Sequence, residues 1–334
     1  MRSQSFDIKD IYIHSIGIIV SKKEKEGPLG KYFHYYIDDY YFECDTFEKA
    51  QIRLAKAAIS KSLDKSQYKM EDIELCIAGD LSNQIFSSTS AIKENNFPFV
   101  GIYAACGSGV LGIILSCIYM NTTNIHNALT FTSSHICVSE RQFRYPVEYA
   151  CISKDTTTST VTGACAIILD KNKNLVKVSK ATVGKVVDIL SKNVNDMGTI
   201  MAYAAIDTLL THLSNNNETI DDYDLIVTGD LSLYGSKVFI DELKKKNIDL
   251  KDKYIDCGNL IYDVKKQDVV AGGSGPACVM CVSFSYVINK MIRHIYKKVL
   301  VIATGALHSQ ISYQQKETIP CIAHAIVLEV TKWF

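Results

Sequence analysis

DIELCIAGDLSNQ at residues 72–84 and DYDLIVTGDLSLYG at 222–235 are one phrase written twice, an apolar strand ending in Gly-Asp-Leu-Ser. The repetition continues in order. ACGSGVLGIILSCIYM (105–120) is followed by NALTFTSSH (127–135), and AGGSGPACVMCVSFSYVINKM (271–291) by KKVLVIATGAL (297–307). Each is a glycine-rich turn, a long apolar helix, a polar link and a strand closing on small residues. STVTGACAIILD (159–170) and CIAHAIVLEV (321–330) end the two copies. Four matches in the same order confine the chain to a duplicated architecture.

The strands are short continuous apolar runs, the pattern of sheets covered on both faces. Amphipathic segments at 47–63 and 199–213 suit the covering helices, and the two helices after the glycine-rich turns are apolar nearly all round, which places them centrally. The expected fold is α/β, a duplicated five-layer α-β-α-β-α stack. The polar stretch KNKN (171–174) marks the boundary, giving halves 1–172 and 173–334.

With 47% hydrophobic and 22% charged residues and zero net charge, the chain can bury a large core and has no basic footprint for nucleic acid. The polar start MRSQSFDIKD does not read as a signal peptide, and no apolar run reaches the ~20 residues of a membrane span. Most of the eleven cysteines sit in apolar segments and read as small core side chains; for the Cys278/Cys281 pair a core position is favoured over a metal or redox site. No cofactor or metal site is expected.

Strand ends and helix starts meet at one edge of such a sheet, where α/β folds place their sites. Cys106 falls at the start of the first central helix, where backbone N–H groups and the helix dipole are expected to lower its thiol pKa. It is a nucleophile or ligand contact, or a buried cysteine. The partner turn GGSG, with Gly273 and Ser274, is an anion-binding nest or a tight packing turn. His135, ending the strand FTSSH, and His324, inside CIAHAIVLE, are pocket groups or core histidines with satisfied rings. Arg141 and Arg144 offer planar forks suited to carboxylates, or belong to a surface loop. Asp80 and Asp230 close their turns by Asx bonds, or in the case of Asp230 touch the ligand.

The duplicated pattern, with its cysteine at a central helix start, resembles the thiolase fold of thiolases and ketoacyl synthases. KEKEGPLG (23–30), AGDLSNQ (78–84), ERQFRYPVEY (140–149), ATVGKVVD (181–188), DCGNLIYD (256–263) and QQKETIPCIAHAIVLE (314–329) resemble the stage V sporulation protein AD family over almost the whole chain. The resemblance implies a thiolase-fold homodimer, with NALTFTSSH at the dimer interface. It implies a protein of the developing spore that binds dipicolinic acid, pyridine-2,6-dicarboxylate, and assists its uptake; the ligand's carboxylates and pyridine nitrogen chelate calcium, so calcium is expected to travel with it. Membrane proteins of the same spore system would be its partners, placing it peripherally on the cytoplasmic side. Condensing enzymes carry a histidine where this chain has Gly229-Asp230, and thiolases a His-Pro pattern near the second glycine-rich turn, where AGGSGPA has none. A thiol without a base in reach is poorly activated, which favours binding over catalysis. The alternative is an acyltransferase or condensing enzyme using Cys106, with His135 or His324 as base.

Overall fold

The computed structural model describes residues 4–143 and 153–331. Its strands are buried on both faces, as the apolar runs require. In Gly163–Asp170, Cys165, Ile167 and Leu169 join one apolar cluster while Ala164, Ala166 and Ile168 join another. In Cys321–Val330, Ile326 and Leu328 part in the same way from Ala325 and Val327. Successive side chains point to opposite faces, so a strand without polar alternation must have a layer on each side.

The first half contributes β1 (Tyr12–Ser21), β2 (Cys76–Ala78), β3 (Phe99–Gly101), β4 (Asn127–Ser134) and β5 (Gly163–Asp170). The second contributes β6 (Val176–Val183), β7 (Leu225–Thr228), β8 (Tyr254–Asp256), β9 (Lys298–Ala306) and β10 (Cys321–Val330). The strand orders are β1-β5-β4-β2-β3 and β6-β10-β9-β7-β8, with matching parallel and antiparallel pairs. The expected two sheets are joined at one edge: Tyr12 of β1 pairs with Lys177 of β6, making one continuous path of these ten strands, and the short strands Ser5–Asp7 beside β6 and Tyr36–Ile37 beside β1 bring the sheet to 12.

Helix α1 (Phe47–Leu63) covers the outer face of the first sheet. Helices α2 (Ser108–Thr122) and α3 (Ile136–Phe143) follow β3 and β4. Helices α4 (Met197–Asn216) and α5 (Ser232–Lys245) lie on the outer side of the second sheet. The final long helix, α6 (Pro276–Ile292), contains a π-helical turn at Ser283–Val287. Helices α2 and α6 share one apolar cluster with the inner faces of both sheets, completing the expected five layers.

The stretch Ala105–Thr122 is long and apolar enough to cross a membrane, but 61% of it is buried between the sheets. The Cys278 thiol donates to the Gly229 carbonyl and the Cys281 thiol to the Ala164 carbonyl, toward opposite sheets. The two sulfurs therefore do not converge on a shared ion, and both residues pack in the core. β4, the strand expected at a dimer interface, is hydrogen-bonded within the chain to β2 on one side and β5 on the other.

Candidate functional site: a cysteine cavity at the crossed helix starts

Each central helix begins against the other half's strand. The turn Ala105–Gly107 packs on the end of β9, with Gly107 facing the carbonyls of Ala303 and Thr304. At the start of α6, the Ala277 amide donates to Ser134 Oγ at the end of β4. The two glycine-rich turns therefore border one cavity. Ala105 holds φ at 48°, an uncommon backbone state for a residue with a Cβ, immediately before the cysteine.

Cys106 is half-buried and lines this cavity with Tyr103, Asp230, Ser274, Thr158 and His308, while Met197 and Met201 of α4 form an apolar wall. The free volume is about 40 Å³, well below the roughly 300–1,000 Å³ usual for small-molecule pockets. Among the described residues, no lysine or arginine lines it.

The expectation of a thiolate at Cys106 is overturned. Burial pushes the thiol well above its ordinary range, and the adjacent Asp230 carboxyl pushes it further; the Gly275 amide pulls the other way and loses. Asp230 is 1% exposed and accepts from the Gly275 amide at 3.3 Å and from the Thr304 hydroxyl. Burial raises Asp230 to about 6, against the opposing pull of the hydrogen bonds it accepts, including one from Cys106. A buried carboxyl, rather than an imidazole, stands beside the sulfur.

The two Gly-Asp-Leu-Ser copies have parted in role. Asp80 closes its own turn, accepting from the Ser82 and Ser88 amides at 2.6 and 2.7 Å. Asp230 reaches into the cavity, and its capping work passes to Asp256, which accepts from the amides of Leu231 (2.9 Å), Ser232 (2.8 Å) and Asn259 (3.1 Å). The glycine-rich turn is correspondingly occupied from within: Gly275, at φ 101°, gives its amide to Asp230, and Ser274 Oγ accepts from Thr158. Gly273 lies in a two-residue ladder with Ser159.

The other expected site residues separate. The His135 ring bonds the Tyr40 carbonyl at 2.8 Å and the Cys137 amide at 3.2 Å, packs against Phe47, and does not line the cavity. It is a core histidine with both nitrogens satisfied. Arg141 is held on the surface by Glu48 and the Cys137 carbonyl; its neighbours Gln142 and Phe143 line the cavity instead. Arg144 lies outside the described residues. His324 is 2% exposed, accepts from the Gly184 amide at 3.3 Å, and is lowered to about 4 by burial; it too is absent from the cavity wall.

His308 was not singled out from sequence. It sits just past β9, contacts Ser312 Oγ through Nδ1 at 3.3 Å, and is held below the usual imidazole range by burial despite the neighbouring Phe143 carbonyl. The small-residue strand end TGAL preceding it is the signal that places it at the site edge.

Comparisons with known proteins place the chain by sequence and by fold. The family model for stage V sporulation protein AD (SpoVAD) matches residues 2–329. Stage V sporulation protein AD of Bacillus subtilis (strain 168) is 40% identical over 319 residues, covering 96% of this chain and 94% of that protein. Among solved structures, a variant of OleA from Xanthomonas campestris aligns with a TM-score of 0.62 at 13% identity, covering 98% of this chain and 99% of that one. The 3-oxoacyl-[acyl-carrier-protein] synthase III of Aquifex aeolicus VF5 aligns at 0.57 with 12% identity, covering 96% and 99%. The structural neighbours establish the thiolase-like fold; the sequence matches establish that this chain belongs to the stage V sporulation protein AD family.

Proposed function

We propose that this chain is a non-catalytic binding protein of the spore-forming machinery, which holds dipicolinic acid as its calcium chelate in the Cys106 cavity and assists its uptake into the developing spore. Asp230 is the observation that carries the reading. It stands against the sulfur, accepting from the thiol, and its charge opposes the thiolate that acyl transfer needs. The lining offers neutral donors from Tyr103, Ser274 and His308, with Asp230 as its carboxyl group. A bare dianion would meet that carboxylate without a compensating cation from the described wall. The calcium chelate carries its own counter-charge, and Asp230 then faces a hard cation that favours oxygen ligands. The closed cavity must widen for the ligand; Met197, Met201 and Phe143 are the adaptable side chains on its wall.

Titration calorimetry with dipicolinate, with and without calcium, tests this. Saturable heat is expected with calcium, weaker heat without it, and weakened binding by Cys106→Ala with the fold intact. Absence of heat and of any thermal shift at millimolar ligand overturns the reading.

The second reading is acyl transfer through Cys106, favoured by the thiol's place at a helix start inside a cavity. A covalent acyl adduct on Cys106 after incubation with acyl-CoA thioesters, together with turnover, would establish it.

A further inference from the structure

A separate cavity of about 350 Å³ opens at the far end of the first sheet. β5 fixes its position: Gly163 pairs with Ser134 at the Cys106 end, whereas Asp170, behind the second cavity, pairs with Asn127 at the opposite end. Seven residue steps of strand separate these ends, roughly 20 Å.

Two irregularities converge on this cavity. The β1–β5 register shifts between Ile13 and Ser15, making His14 the extra residue of a β-bulge. The π-helical turn of α6 contributes Phe284 and Ser285, and the next turn contributes Ile288 and Asn289. Bulges re-aim side chains, and π-turns recur at functional sites. Both irregularities leave residues on this one wall.

The wall has a consistent chemistry. Lys65, His14 and His34 line it, and no aspartate or glutamate does among the described residues. Lys65 Nζ donates to the Ile16 carbonyl at 3.1 Å and lies 5.7 Å from the centre of the Tyr35 ring, which keeps its ammonium at the cavity mouth. His14 Nδ1 is fixed by the buried Asp170 carboxylate at 2.9 Å, which leaves Nε2 of the neutral ring as an acceptor. Asn289 Oδ1 is buried without a partner among the described residues. Its amide can present either end to a ligand, because the two orientations have nearly the same shape. Tyr32, Tyr35 and Phe284 supply aromatic surface.

We infer that this cavity is a second ligand site, taking a small planar aromatic carboxylate whose anionic end meets Lys65 and the Asn289 amide and whose ring lies on the Phe284 wall. A charge-assisted hydrogen bond contributes enough that its loss weakens binding about tenfold or more.

The test is benzoate binding to the full chain, followed by ligand-observed NMR and calorimetry, with benzamide as the uncharged isostere. Saturable benzoate binding is expected in the wild type and in Cys106→Ala alike, with benzamide about tenfold weaker. Lys65→Ala and Asn289→Leu, both checked for folding by circular dichroism, are expected to weaken benzoate by about tenfold. Failure of benzoate to saturate by about 20 mM, near the weakest affinity such a pocket would usefully have, overturns the inference. Equal binding of benzamide, or unchanged affinity in both variants, overturns it as well. Because Cys106→Ala leaves this cavity intact, its result separates the present inference from the reading of the cysteine cavity.

Discussion

Asp230 decides what Cys106 can do. A thiol at a helix start would ordinarily gain thiolate character, but here burial and the neighbouring carboxyl both oppose ionisation. Removing the charge while keeping the shape should therefore wake the sulfur. In Asp230→Asn, alkylation of Cys106 by iodoacetamide at pH 8 is expected to accelerate on the order of tenfold, one unit of thiol pKa being a tenfold change in thiolate. Mass spectrometry of the Cys106 peptide against time reads the rate, and an unchanged rate would show that Asp230 does not hold the thiol neutral. The sequence placed Asp230 at a strand end, but could not say that it had left its turn. That depends on Asp256, 26 residues further on, taking over the Leu231 and Ser232 amides. His135 shows the reverse error: a polar residue after a buried strand looks aimed at a site until Tyr40, far off in sequence, accepts its N–H.

At the scale of elements, backbone contact between the halves builds the site. Gly305, in β9, lies so close to the turn before the cysteine that an added Cβ would stand 2.2 Å from the Ala104 carbonyl oxygen and 3.2 Å from the Ala105 side chain. Neither backbone can yield without moving Cys106. Gly305→Ala is expected to cost about 1–3 kcal/mol of stability, the usual range for overpacking, and to weaken dipicolinate binding beyond what the stability loss explains. Urea melts and calorimetry on the same samples check both; a variant as stable as the wild type would mean the strand and turn separate easily. The strands themselves were legible because both faces of each are covered, so an eight-residue run such as GACAIILD had no other stable use. The crossing of helix starts was not legible, since it consists of contacts such as Ala277 to Ser134 that join residues of different halves. The ordinary-looking stretches around His14 and Asn289 hid a bulge and a π-turn for the same reason.

Across the whole molecule, burial has produced two opposed sets of titrations. Glu24, Asp80, Asp230 and Asp256 are raised by burial, Asp230 to about 6 and Asp256 to about 7. His135, His212, His308 and His324 are lowered by burial, His212 and His324 to about 4. A raised carboxyl makes the folded chain hold a proton the unfolded chain has released, so its contribution to stability falls as pH rises from its unfolded value through its folded one. A lowered imidazole makes the unfolded chain hold the extra proton, so stability rises with pH from the folded value of about 4 toward the unfolded value near 6.5. Between about pH 5 and 6 the two sets act against each other, and the wild-type melting temperature should change little with pH. Breaking either set should tilt the curve. Asp256→Asn removes a falling contribution, leaving stability to rise with pH in that window; His324→Gln removes a rising one, leaving it to fall. Each fully opposed proton corresponds to about 1.4 kcal/mol per pH unit, large enough to read in thermal melts at closely spaced pH. The slopes, rather than the absolute stabilities, carry the prediction, because each substitution also disturbs the hydrogen bonds its residue makes. Equal slopes in both variants would mean that these buried groups keep their ordinary titration in the folded protein.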